Sequence, residues 1–356
     1  MKTTYRLFES GTHGYHTFRI PALLTAASGA LLAFCEGRRD NQSDRGKIDL
    51  LLRRSADGGL TWTEPQVVWA DGENTCGNPS PVVDPASGDL VLLATWNLGA
   101  DTEKAIISGE SQDTRRVFVL RSRDEGLTWS AAEEITPSVK KPAWTWYATG
   151  PGAGIALGQG PYAGRLVIPC DHVEGEAFYS HIIYSDDGGQ TWERGGRAGP
   201  GANECEVVEL ADGRLLLNMR NHDRAETHRK IAFSTDGGGS WSGFRSDPVL
   251  IEPVCQAAIR RYRRPEGERS GVILFSNPAC AFHGPDKGRR NLTLRASFDE
   301  ARTWPLAKVL HAGYAAYSDL AVLPDGAIGC LYECGEEHVR ERIDFARIDP
   351  AWLGEE

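Results

Sequence analysis

The sequence predicts an all-β chain folded as a six-bladed β-propeller, on three observations. The first is an eight-residue pattern that occurs five times. It reads S-A-D-G-G-L-T-W at 55–62, S-R-D-E-G-L-T-W at 122–129 and S-D-D-G-G-Q-T-W at 185–192, with degraded copies at 234–241 and 297–304. The copies start 67, 63, 49 and 63 residues apart, the period of a stacked supersecondary unit rather than of a domain. The second is a short apolar run of β character ahead of four copies, at 49–52, 117–120, 181–184 and 230–233, which makes each copy a hairpin turn. The third is the abundance of turn formers, 40 glycines and 19 prolines in 356 residues.

One copy of the box is itself a folded turn. Asp at its third position accepts hydrogen bonds from backbone N–H groups, and Gly at its fifth supplies a positive φ. The terminal Trp is an apolar plug between neighbouring units. A calcium loop needs several oxygen ligands, whereas each box offers one fixed Asp, so the boxes are read as scaffold. The departures are Ser240 for Thr, Ala301 for Gly, and the lack of a sixth box.

The totals fit one soluble domain over residues 1–356, since no linker composition interrupts the array. The net charge of −10 argues against nucleic acid or an anionic membrane as partner, because either favours a basic face. No run approaches the length of a membrane-spanning helix. The N-terminus has neither an apolar stretch nor a cleavage pattern. The expected location is cytoplasmic, or secreted or periplasmic if a signal peptide has been removed. Eight cysteines without a C-x-x-C pair read as buried free thiols. Cys330, Cys334 and His338 make too thin a ligand set for zinc.

In chain order, the first unit holds 17–23, 31–34, a polar excursion at 36–47, and 48–54. Arg19 sits in an apolar strand, where a charge is expensive unless paired or facing a ligand; the other reading is a strand end reaching solvent. Pro21 confines that strand to an edge or an inner rim. The second unit holds 76–84 and 89–96, and the polar loop 97–115 after it is long enough to be functional. The third carries W-T-W-Y-A-T-G-P-G at 144–152, suited to a sugar-site wall or to core packing. In the fourth, 203–220 reads as strand, turn at Asp212-Gly213, and strand, which brings Glu204 and Arg220 to one rim. The fifth holds 254–256, 272–275 and 289–295. The last holds 314–320, a turn at Pro324-Asp325-Gly326, 329–333 and 343–348. Ring closure calls for a terminal strand paired with the opposite end of the chain.

The ordered set F-R-I-P at 18–21, N-E at 203–204, N-x-R at 218–220, R-x-N-L at 289–292 and A-Y-S-D-L at 316–320, together with the boxes, resembles the sialidase (neuraminidase) family of exo-glycosidases. The likeness runs from Arg19 to Glu333. It implies a six-bladed propeller with the boxes on the face away from the catalytic centre. Arg19, Arg220 and Arg289 match the clamp for a sialic acid carboxylate. Three converging arginines make physical sense only around a permanent anion, which they bind by charge-assisted hydrogen bonds. Strand parity alone does not separate Arg289 from Arg295; the motif favours Arg289 over Arg290 and Arg295.

Tyr317 matches the family's nucleophile and Glu204 the carboxylate that activates it, with Tyr314 lying outside the motif. A neutral phenol avoids the repulsion between the substrate's carboxylate and an anionic nucleophile, the known exception to the two-carboxylate rule. Asp44 has the family's acid/base position in the loop, in preference to Asp40 and Asp49. Arg38, rather than Arg39, matches a further sugar-contacting arginine. Glu333 matches the partner of Arg19. Asn78 falls in a substrate-contact region, and Gln256 and Trp146 are secondary candidates.

The resemblance therefore implies a retaining exo-α-sialidase that cleaves terminal sialic acid from sialylated glycans without metal or cofactor. A related ketosidic sugar acid as substrate, deaminated or eight-carbon, or transfer to another sugar, are the alternatives within the enzyme class. A propeller that binds sialic acid without turnover is the alternative outside it.

Overall fold

The computed structural model describes residues 1–223, 226–281 and 288–354. Its strands hydrogen-bond into four sheets of seven, five, four and eight strands, and the chain is all-β apart from short helical turns. Thr17–Thr25 pairs with Leu31–Arg38, which pairs with Ile48–Ser55, which carries Gln66–Trp69. The same antiparallel meander recurs from Thr75–Val83 to Glu133–Glu134, from Trp144–Thr149 to Glu193–Ala198, and from Ala202–Glu209 to Ser242–Ile251. A parallel pairing of Ile48 with Thr75 joins the first two meanders into one sheet.

The seven-stranded sheet is continuous for a different reason. Leu306–Val322 runs for 17 residues; its first part pairs with Arg290–Ser297 and its second with Ile328–Gly335. Lys2–Glu9 pairs antiparallel with Arg342–Ile348 at the edge of this sheet, so the two ends of the chain meet in one meander.

Each box begins on the last residue of a strand, at Ser55, Ser122, Ser185, Ser234 and Ser297. In the first, Asp57 accepts hydrogen bonds from the Leu60 and Thr61 N–H groups at 3.0 and 2.9 Å, and from the Ser55 and Thr61 hydroxyls. The Gly59 N–H donates to Ser55 Oγ. These bonds, the Thr61 hydroxyl foremost, hold the Asp57 carboxyl well below the usual range. Ser240 reproduces the Thr contact in the fourth box, with its hydroxyl on Asp236 at 2.6 Å.

The fifth position of each box leans on the preceding meander. A side chain on Gly126 would meet Leu32, one on Gly189 would meet Val91, and one on Gly238 would meet Ile182. Gly59, in the first box, would meet Phe345 near the end of the chain, and Trp62 packs edge-on against the same ring at 5.1 Å. The first and last meanders share a core of Phe8, Phe18, Leu23, Leu331 and Phe345. In the fifth box Ala301 takes φ 61°, a conformation that disfavours a β-carbon. The missing sixth box has a topological reason. The strand Arg342–Ile348 is followed by a helical turn, and its outer neighbour Lys2–Glu9 comes from the other end of the chain. No hairpin exists there for a box to turn.

The segment 97–115, expected to be a loop, contains the helix Glu103–Ser108. The Thr102 side chain caps its start, accepting from the Ala105 N–H, and Gly109 ends it in the left-handed conformation. No described helix is long and apolar enough to cross a membrane.

Candidate active site

Strands at the starts of the meanders converge on a cavity of about 200 Å3 at the ends remote from the boxes. The first contributes Arg19, which is 3% exposed. Its Nε and Nη2 donate to the two Glu333 oxygens at 3.0 and 3.2 Å. This answers the cost of burying the charge: burial alone would lower the Arg19 pKa, but Glu333 and Asp44 hold it well above its ordinary value. Glu333 Oε1 also accepts from the Ile20 N–H at 2.9 Å, fixing Ile20 at φ 58°. A β-branched residue there is strained by about 1–3 kcal/mol. Asn78 and Val254, at φ 53° and 55°, border the same site. Asn78 lines the cavity, and the Val254 carbonyl accepts from Arg289 Nη2 at 3.0 Å.

Tyr317 stands between three arginines. Its hydroxyl donates to Glu204 Oε1 at 2.5 Å and accepts from Arg220 Nη1 at 3.0 Å. The Arg19 and Arg289 guanidinium carbons lie 5.0 and 5.6 Å from the centre of its ring. Arg220 also donates to Glu204 Oε2 at 2.5 Å, as the hairpin turning at Asp212-Gly213 requires. Burial, and then Glu204, push the Tyr317 phenol well above its usual range against the pull of Arg220, Arg289 and Arg19. Burial would also raise Glu204, but Arg220 and the hydrogen bond from Tyr317 carry it below the ordinary carboxylate value. The pair thus has a neutral hydroxyl bonded to a charged acceptor, the arrangement in which a base can take the phenolic proton.

Asp44 reaches the cavity from the loop after Leu31–Arg38. Its Oδ1 lies 2.7 Å from Arg38 Nη1 and 3.4 Å from Arg19 Nη1, and its side chain is more than half exposed. Partial loss of hydration at the cavity opposes the charge, but Arg38 and Arg19 hold the carboxyl well below its usual range. Arg38 is anchored behind by Glu36 at 2.7 Å and by the Gln42 carbonyl at 2.8 Å. Glu36 in turn accepts from the Asn78 N–H at 2.9 Å.

The structure separates most of the competing residues. Asp49 bonds Tyr15 and Arg39 at 2.7 and 3.1 Å, and neither it nor Asp40 lines the cavity. Arg290 lies over the Tyr314 ring at 3.7 Å. Parity could not have separated Arg289 from Arg295, because Asn291 at φ 59° and register shifts at 290–293 break the alternation; Arg289 lines the cavity and Arg295 does not. Gln256 needs correcting. It does not line the cavity but lies buried, exchanging hydrogen bonds with the Ser318 backbone at 3.0 Å and donating to the Pro151 carbonyl at 3.2 Å.

Sequence reasoning missed Glu36, Glu103, Arg115, Asp171, Asn203 and Arg340, all in the cavity wall. Arg115 donates to Asn97 and Thr95 at 3.1 and 2.8 Å, and also to Asn78, and lies 4.1 Å over the Trp146 ring. Asn203 was visible as the neighbour of Glu204 in the N-E motif; the others had no motif to mark them.

A family model described as a BNR repeat-like domain matches residues 29–330. A sialidase of Micromonospora viridifaciens is 38% identical over 371 residues, covering 99% of this chain and 54% of its own. The chain therefore spans about half the length of that relative. An exo-alpha-sialidase of Aspergillus fumigatus is 32% identical over 346 residues, covering 90% of this chain and 79% of its own. The solved structure of the Hadza microbial sialidase Hz136 superposes with a TM-score of 0.87 at 29% identity, covering 99% of this chain and 69% of that one. With a family model over most of its length, relatives of this kind and their β-propeller fold, the chain belongs to the sialidase family of BNR-repeat proteins.

Proposed function

We propose that the chain is a retaining exo-α-sialidase, with one catalytic domain of six four-stranded blades, that releases terminal sialic acid from sialylated glycans. The observation that carries the reading is the Tyr317 hydroxyl held between Glu204 and Arg220, with Arg19 and Arg289 beside its ring. Arg19, Arg220 and Arg289 would bind the substrate carboxylate. The Tyr317 oxygen would then bond the adjacent anomeric carbon as its proton passes to Glu204. The glycosidic bond breaks, and its oxygen leaves with a proton from Asp44. In the second half, water loses a proton to Asp44 and replaces the tyrosyl oxygen, which recovers its proton from Glu204.

Asp44 meets a specific demand here. A carboxyl paired with Arg38 and Arg19 is a poor acid, so the arriving carboxylate must take over Arg19 and loosen that hold. The blade count is supported by the box contacts: Gly126, Gly189 and Gly238 reach the preceding meander, Gly59 reaches Phe345, and Ala301 packs in one core with Val208 and Leu216 of the preceding meander.

A fluorogenic α-sialoside assay on the wild type, Tyr317→Phe and Asp44→Ala tests the reading. The wild type is expected to release the fluorophore, with Tyr317→Phe reduced by about 100-fold or more and Asp44→Ala reduced less, because an aryl leaving group needs little protonation. Full activity in Tyr317→Phe would remove the covalent mechanism. Release from a different ketosidic acid alone would change the substrate.

A further inference from the structure

Asp171, like Glu103, is a carboxyl in the cavity wall that the proposed chemistry does not use. It lies in the strand Leu166–Glu174, paired in register with Ala148, and is 0% exposed. Its Oδ1 accepts from Asn203 Nδ2 at 3.1 Å. Its Oδ2 has no hydrogen-bond partner among the described residues. A buried polar atom without a partner is costly, and one in a binding cavity points to the ligand as the missing partner.

Which partner it lacks follows from its charge state. Burial, and then Glu204, push the Asp171 carboxyl well above the carboxylate range, with Glu103 in support and Arg115 and Arg220 opposing. That setting favours the neutral acid, and no oxygen of the described residues lies within hydrogen-bond reach of Oδ2 to receive its proton. Arg115 Nε, in the lining of the same cavity, is likewise buried without a partner among the described residues, as are Arg220 Nε and Arg289 Nε, the rest of the Arg115 guanidinium being engaged with Asn97, Asn78 and Thr95. Glu204 and Glu103 beside Asp171 disfavour a second anion.

We propose that Asp171 is a specificity-determining residue that donates a hydrogen bond from Oδ2 to an uncharged oxygen, amide carbonyl or hydroxyl, on the part of the sugar acid not held by the arginine clamp. This rests on the reading of the cavity as a sialic acid site. The alternative is that Asp171 only positions Asn203, and through it Glu204.

The test compares kcat/KM for three fluorogenic ketosides: the intact N-acetyl sialoside, its analogue with a hydroxyl in place of the amide, and its analogue with a shortened glycerol chain. The wild type is expected to prefer the intact compound over one analogue by roughly 10- to 100-fold, the range for a lost hydrogen bond that leaves a buried donor unmet. The analogue that is rejected identifies the oxygen. Asp171→Leu should erase that preference. Asp171→Asn, whose amide N–H replaces the donor, should keep most of it. At alkaline pH, ionisation turns the wild-type donor into an acceptor, so its preference should fall while that of Asp171→Asn stays level. The Asn variant and the pH arm decide the matter even if Asp171→Leu does not fold.

An equal rate of the wild type on all three compounds, or a preference in Asp171→Leu matching the wild type, overturns the inference alone. Loss of preference in Asp171→Asn as large as in Asp171→Leu assigns Asp171 to positioning and also overturns it. If the wild type cleaves none of the three and binds no 2,3-unsaturated sialic acid in calorimetry, the sialidase reading falls and this inference with it.

Discussion

Glu333 meets Arg19 through two hydrogen bonds of 3.0 and 3.2 Å, with both side chains withdrawn from solvent. The same carboxylate accepts from the Ile20 and Tyr317 N–H groups, so it ties a strand of the first meander to one of the last. Glu333→Gln keeps the shape and removes the charge. It is expected to destabilise the protein by about 3 kcal/mol, the low end for breaking a buried pair, and to raise KM as Arg19 loses its anchor. Urea unfolding and steady-state kinetics read both effects; an unchanged midpoint would contradict this account of the pair.

Asp44→Asn removes a proton donor from the exposed side of the cavity. Rates should fall by about 100- to 10,000-fold on a substrate with an alkyl leaving group. The loss should be much smaller on an aryl sialoside, whose leaving oxygen needs less protonation. Equal losses on the two substrates would point away from an acid role.

Gly59→Ala should be more harmful than its size suggests. A β-carbon there meets the buried Phe345 ring, at φ 89°. Left-handed strain of about 1–2 kcal/mol adds to overpacking of about 1–3 kcal/mol. Gly213→Ala, at φ 81° with nothing within 4 Å, carries only the first of these. The difference between the two unfolding midpoints isolates the contact with Phe345, and equal midpoints would mean that the contact yields freely.

Lys140 donates to the carbonyls of Arg115 and Thr145, at 2.7 and 3.0 Å, and to the Thr114 hydroxyl. Burial, then Arg115, lower its pKa to about 7. The unfolded chain therefore binds more protons than the folded one between about pH 7 and 10, and stability from this group rises with pH across that window. The unfolding midpoint of the wild type relative to Lys140→Met should shift in favour of the wild type from pH 6 to pH 9. A gap that stays constant would show that Lys140 titrates normally.

The boxes were legible because their physics is local: Asp57 finds its donors within four residues. The closing contacts were not, since nothing in the run 55–62 announces that Gly59 and Trp62 lean on Phe345. The same division holds in the cavity. Arg19, Glu204, Arg220 and Tyr317 lie in short motifs and come together in space. Asp171 and Arg115 acquire their setting from residues of other strands, Asn203 in one case and Asn97, Thr95 and Trp146 in the other. Their own neighbours in the chain say nothing of it. Gln256, a polar residue close to the site in the chain, instead gives its amide to the backbone of Ser318, a contact that no local pattern marks.

The strand Lys2–Glu9 has its partner in Arg342–Ile348. On the ribosome, Lys2–Glu9 is made long before its partner, and the order of synthesis runs against the order of pairing. Every intermediate length of chain leaves a strand edge open to neighbouring chains. The last meander, which holds Tyr317 and Glu333, is completed only when that wait ends.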